Sequence, residues 1–123
     1  MDKVLKNLDL SDFNLLDLKF LVDFDVALPL YLNNLRLDHN NLDNIDLVNK
    51  FYMLKTLNAS MNFITSVSLH LKNLVILDLH NNNLTDFPSL EHLKSLEELN
   101  VSKNLITSLH QVNLRLDHPK VQN

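Results

Sequence analysis

At 123 residues the chain suits one domain built around a single core. Its 11 basic and 15 acidic side chains leave a formal charge of −4 and are spread through the sequence, which excludes the concentrated positive footprint that nucleic acid or anionic lipid requires. Cysteine and glycine are both absent, so disulfide staples, thiolate chemistry, the usual zinc-finger ligand sets and phosphate-cradling glycine loops are excluded as well.

The opening stretch MDKVLKNLDLSDF is interrupted by Asp and Lys too often for a signal-peptide core, and no run of about 18 apolar residues occurs anywhere. The chain therefore reads as cytoplasmic, with no membrane contact. Leucine is by far the commonest residue and asparagine the next, a pairing that points to a repeat. In chain order, Leu5, Leu8, Leu10, Phe13, Leu15 and Leu18 follow a spacing that recurs downstream, with phenylalanine in a place later taken by asparagine. The next segment, FLVDFDVALPLYL, is apolar enough for a strand of its own, and Leu21, Phe24, Val26 and Pro29 mimic the same frame. One long repeat and two compressed ones are both compatible with residues 1–31.

From Leu32 the frame is unbroken. Leu32, Leu35, Leu37, Asn40, Leu42 and Ile45 read L-x-x-L-x-L-x-x-N-x-L-x-x-I. Leu54, Leu57, Ala59, Asn62, Ile64 and Val67 repeat it, as do Leu74, Leu77, Leu79, Asn82, Leu84 and Phe87. Leu96, Leu99, Val101, Asn104, Ile106 and Leu109 make the fourth copy, so the asparagines recur at nearly even steps. In each copy the period-two apolar pair predicts a short strand with two residues inward and the intervening polar ones outward. The asparagines at 40, 62, 82 and 104 are expected inside the following turns, where an amide pairs with backbone groups that burial would otherwise orphan. Asparagine also suits left-handed turn positions in glycine's place. Pro88 is expected to start a short helical or 3-10 segment with Leu90 and Leu93 inward. Taken alone, SLEHLKSLEEL also fits one long amphipathic helix, but its register with Asn82 and Asn104 favours the repeat.

The hexapeptide NLRLDH occurs at Asn34–His39 and again at Asn113–His118. By frame, the second copy is expected to be an equivalent strand after a shortened step, with Arg115 beneath Arg36 and Asp117 beneath Asp38. The expected organisation is a single domain over 1–123: an irregular coil or cap over 1–31, four regular repeats over 32–109 and a shortened or truncated coil over 110–123.

These residues resemble the leucine-rich repeat superfamily, whose signature is the string just read. The resemblance implies an α/β solenoid, a horseshoe or arc with parallel concave strands and short helical, 3-10 or irregular convex segments. The short period resembles the class of intracellular phosphatase-regulating and dynein-associated proteins, and also bacterial internalins. The cysteine-bearing caps of secreted receptors are missing.

On the concave side the columns read Asn7, Asn34, Thr56, Ile76, Glu98, Asn113, then Asp9, Arg36, Asn58, Asp78, Asn100, Arg115, then Ser11, Asp38, Ser60, His80, Ser102, Asp117. Ile76 is the one aliphatic in the first column, with Val75 beside it in sequence, and Arg36, Asp38, Asp78, His80, Glu98 and Lys103 surround it. That is the contrast of apolar centre and polar rim a protein interface uses. The expected partner-binding residues are Arg36, Asp38, Asn58, Ser60, Ile76, Asp78, His80, Glu98 and Asn100, in a non-enzymatic scaffold or adaptor without cofactor or metal. Two alternatives stand beside it. One is an assembly module that self-associates through the solenoid ends. The other is a hydrolase using Ser60 or Ser102 with His80, which needs an enclosed pocket and an oxyanion hole that a gently curved strand face does not offer. The side chains of Asp38 and His39 are expected to diverge, and His80 stands about 10 Å from Asp38, so no shared ion is expected. Three sequons, at Asn58, Asn83 and Asn100, are what so asparagine-rich a chain carries without selection.

Overall fold

The computed structural model describes residues 5–23 and 31–107 and the backbone of 120–122. Six strands, β1 (Asn7–Asp9), β2 (Asn34–Arg36), β3 (Thr56–Asn58), β4 (Ile76–Asp78), β5 (Glu98–Asn100) and β6 (Lys120–Gln122), form one sheet in sequence order. Every neighbouring pair is parallel. Leu8, Leu35, Leu57, Leu77, Leu99 and Val121 share one register, so the coil from Leu8 to Leu35 is the longest and the others are nearly equal in length. This is a leucine-rich solenoid with a concave parallel sheet.

The register bears on both ends of the chain. β1 pairs directly with β2, so no strand stands between them in the sheet, and residues 24–30 lie outside the described residues. At the other end the place beside β5 belongs to Lys120–Gln122, one full coil on, and the columns continue through Lys120 and Gln122 where Asn113 and Arg115 were expected. The second NLRLDH copy, at 113–118, lies outside the described residues.

The strands are short because each coil turns soon after its inward leucine pair. Leu35 and Leu37 are 1% and 0% exposed, and Leu57, Ala59, Leu77, Leu79, Leu99 and Val101 are equally buried. On the convex side each return is tightened by bonds spanning three residues. The amides of Val48, Phe51 and Leu54 donate to the carbonyls of Ile45, Val48 and Phe51, and the pattern recurs at Leu74 to Leu71, Leu93 to Leu90 and Leu96 to Leu93. Among the described residues two returns carry 3-10 helices, Lys19–Asp23 and Asp46–Lys50. The segment after Pro88 forms turns instead of the expected helix, although Leu90 and Leu93 are buried.

Each of the first five strands is followed by a residue with positive φ: Asp12, His39, Met61, Asn81 and Lys103, at 55° to 60°. Asp12, His39 and Asn81 are of residue types enriched in the left-handed region, whereas Met61 and Lys103 enter it without that preference, at about 1 kcal/mol or more apiece. The kink turns the next side chain inward, and at Asn40, Asn62, Asn82 and Asn104 that side chain stitches two coils. Asn82 Oδ1 accepts from the Ile64 amide at 3.0 Å, while its Nδ2 donates to the carbonyls of Ala59 and Leu79, both at 3.0 Å. Asn62 and Asn104 repeat the arrangement with Leu42, Leu37 and Ala59, and with Leu84, Leu79 and Val101. Asn40 Oδ1 accepts from Phe13 and Leu15, and its Nδ2 reaches Leu10 and Leu37. Each amide thus serves its own coil and the preceding one. Phe13, in the asparagine place of the first coil, is 61% exposed and does not enter this scheme as a side chain.

Candidate partner-binding face

The strand residues on either side of the inward leucine face the concave side. Asn34, Thr56, Ile76 and Glu98 stand side by side in one column, and Arg36, Asn58, Asp78 and Asn100 in the next. Ile76 is 39% exposed, an aliphatic between Thr56 and Glu98. Val75 is half-buried beside it.

Along each strand the second column is tied to the residue two places on. Asn58 Oδ1 accepts from the Ser60 amide at 3.0 Å and from its hydroxyl at 2.7 Å. Asn100 and Ser102 repeat those distances, and Asp9 with Ser11 follows at 2.9 and 2.6 Å. At β4 the same device joins Asp78 Oδ1 to the His80 amide at 3.1 Å and to His80 Nδ1 at 2.6 Å. These local bonds hold the face in one side-chain arrangement before anything binds. They also commit the Ser60 and Ser102 hydroxyls to asparagines, and neither hydroxyl is hydrogen-bonded to His80.

β2 inverts the polarity. Arg36 donates to Asp38 through Nε at 3.1 Å and Nη2 at 2.9 Å, and Nη1 lies 3.6 Å from Asp9. His39 Nδ1 sits 3.1 Å from Asp38 Oδ2. The side chains of Asp38 and His39 therefore meet instead of diverging, because His39, at φ 58°, has left the strand geometry on which divergence depends. Nor does Asp38 form an exposed rim. It is 3% exposed and Ser60 2%, deeper than His80 and Ser102 in the same column. The exposed groups are Arg36, Ile76 and Glu98, with Asn58, Asp78, His80 and Asn100 half-buried.

Burial pushes the Asp38 carboxyl up, but the hydrogen bonds from Arg36 and His39, with the Arg36 charge, outweigh it and hold the group below its usual 3.8. The hydrogen bond to Asp38 in turn raises Arg36. The Ser11 hydroxyl and amide lower Asp9. A carboxyl whose folded value is depressed stabilises the fold above its unfolded value, and that contribution is lost as the pH falls through the folded value. Asp38→Asn is accordingly expected to flatten the acid limb of stability below about pH 4. Urea midpoints at pH 7 and pH 3 test this: the drop between them should be smaller in the variant, and an equal drop removes Asp38 as a contributor.

Reasoning from the frame missed two places. Phe63 and Leu105 are 53% and 56% exposed, immediately after Asn62 and Asn104, where the neighbouring coils carry Asn41 and Asn83. The signal was available as apolar residues at a position that is polar in other repeats. The second is a convex depression of about 290 Å³ lined by Val67, Ser68, Leu69, His70, Ser89, Glu91 and His92. There the His70 and His92 rings stack at 4.2 Å with an interplanar angle of 20°. Stacked rings point their lone pairs alongside each other, which does not suit chelation. Among the described residues no group of three His, Asp or Glu side chains is placed to hold a metal ion.

Comparison with protein families matches a model described as Leucine Rich repeats (2 copies) over residues 52–92 and 72–115, together just over half of the chain. The protein belongs to the leucine-rich repeat family. No curated protein matches it. Among the described residues no helix is long and apolar enough to cross a membrane.

Proposed function

We propose that this protein is a non-enzymatic scaffold or adaptor that binds a protein partner on its concave face, centred on Ile76, Asp78 and His80, with Arg36, Asn58, Glu98 and Asn100 around them. The observation that carries the reading is Ile76, a 39%-exposed aliphatic at the middle of an otherwise polar strand face, beside an aspartate and histidine already locked together at 2.6 Å. An apolar anchor inside a pre-ordered polar frame loses little side-chain entropy on docking. Asp38 and Ser60 serve that face from beneath, by fixing Arg36 and Asn58. The non-enzymatic reading is supported by the serine hydroxyls, which donate to Asn58 and Asn100 and so leave His80 without a nucleophile in hydrogen-bond contact. We place the repeats in the short class found in intracellular phosphatase-regulating and dynein-associated proteins, and the protein in the cytoplasm, on their period and on the cysteine-free composition.

The test begins with capture of partners by the intact chain, followed by calorimetric titration of each purified candidate. Ile76→Asp with Asp78→Arg is expected to weaken a true concave-face partner by about a hundredfold, as loss of a central anchor does. Affinity unchanged by this double variant while circular dichroism shows it folded rejects the concave site.

A further inference from the structure

Every inner coil is covered by a neighbour on each side, whereas β1 pairs only with β2 among the described residues. The consequence shows in the core. Leu8, Leu10 and Leu15 are only partly buried, although their counterparts in the next coil, Leu35, Leu37 and Leu42, are 0 to 1% exposed. Leu5 and Phe13 in the same coil are 43% and 61% exposed.

The backbone of β1 alternates strictly. The Asn34 amide donates to Lys6 O at 2.9 Å, the Leu10 amide to Arg36 O at 2.8 Å and the Asp12 amide to Asp38 O at 3.2 Å. Even-numbered residues thus turn their polar groups to β2. In a parallel ladder the residues between them turn the other way, so Asn7 and Asp9 direct N–H and C=O to an edge that no other described strand pairs. An edge with such groups exposed is a template for a further strand.

The geometry points to a second copy of this chain as the occupant of that edge, docked antiparallel about a two-fold axis through Leu8. Antiparallel pairing requires outward-facing residues to stand opposite one another, which allows three registers. Asp9 against Asp9 sets like charges face to face, which is unfavourable. Asn7 against Asn7 uses one residue of each strand. Asn7 against Asp9 uses both residues twice, makes four backbone bonds, and sets a side-chain amide opposite a carboxylate at each end. Leu8 then faces Leu8 of the second copy at the non-hydrogen-bonded centre, and the partly covered leucines of the two first coils meet across the axis. Such an interface is self-complementary and closed, and it joins the two concave faces into one surface. This inference is independent of what that surface binds.

The experiment is sedimentation velocity of the 123-residue chain over a concentration series, beside three variants. The parent is expected to reach a dimer and stop. Asn7→Pro removes an amide that faces the open edge and none that bonds β2. With two hydrogen bonds lost across the axis, it should weaken dimerisation by about tenfold or more. In Leu8→Cys the paired Cα atoms lie about 4.5 Å apart, within disulfide reach. Because the chain has no other cysteine, mild oxidation should give a covalent dimer on a non-reducing gel. Asn7→Cys places the two sulfurs' Cα atoms about 8 Å apart and should stay uncrosslinked. If Asn7→Pro fails to fold, the cysteine pair carries the test. A monomer at every concentration overturns the inference, as does equal crosslinking of Cys at positions 7 and 8. Mass that grows without limit overturns it too, since that result marks β6 of one copy stacking on β1 of the next.

Discussion

Asn82→Ala is expected to destabilise the protein by on the order of 2 to 4 kcal/mol, because truncation leaves buried backbone groups of two coils without partners. The Ile64 amide loses its acceptor, and the carbonyls of Ala59 and Leu79 lose a donor. Asn82 is 5% exposed, so water does not replace these bonds without opening the turn. The sharper variant is Asn82→Asp, which keeps shape and size but offers no donor. At neutral pH its carboxylate would face two carbonyl oxygens, and it should be at least as damaging as alanine. Chemical denaturation of the three proteins tests the idea. Equal stability of the alanine variant and the parent, or an aspartate variant close to the parent, would mean the amide is dispensable. Asn104→Ala should cost less, because Asn104 is half-buried and Ile106 beneath it is only partly covered.

The fold was legible because two periodicities coincide. Leucines two apart fix the short strand, and the asparagine recurring at positions 40, 62, 82 and 104 fixes the coil, so the register of β2 to β5 follows from the segment 32–109 alone. The last strand was not legible, for a physical reason. NLRLDH at 113 repeats Asn34–His39 letter for letter, yet a strand's place is set by the length of the convex return, and only Val121 stands a full coil beyond Leu99. The first coil was ambiguous because the stretch from Leu8 to Leu35 is long enough for either reading, and only backbone pairing decides between them.

The concave face was legible by column and misread by depth. Period-two alternation sets Asp38 and Ser60 outward, and it holds only while the backbone stays extended. Asp38 and Ser60, each just before a left-handed residue, are buried, while His80 and Ser102 in the same column and the same place before one are half-buried. Ile76 and Asp78 lie within the strand, where the rule still applies, and they are where the alternation puts them.

Phe51→Ala should be the most damaging single truncation, at about 3 to 5 kcal/mol. Phe51 is 0% exposed and lies outside the leucine and asparagine frame, on the convex return between Val48 and Leu54. Leu71 and Leu93 hold the equivalent places, each accepting from the amide three residues on, as Phe51 does from Leu54 at 3.0 Å. Those counterparts predict the rescue: Phe51→Leu keeps most of the volume in a site that other coils fill with leucine, and should cost under about 1.5 kcal/mol. Position compounds the loss in alanine. Coils contact only their neighbours, so a cavity beneath β2 and β3 weakens the coupling of the first coils to the rest, whereas one near Ile106 weakens an end. Thermal unfolding of Phe51→Ala is therefore expected to be broader as well as earlier than that of the parent, with amide exchange rising at Leu35 before Leu77. A transition that shifts without broadening, with Leu35 and Leu77 exchanging together, would show that the solenoid unfolds as one unit despite its neighbour-only contacts.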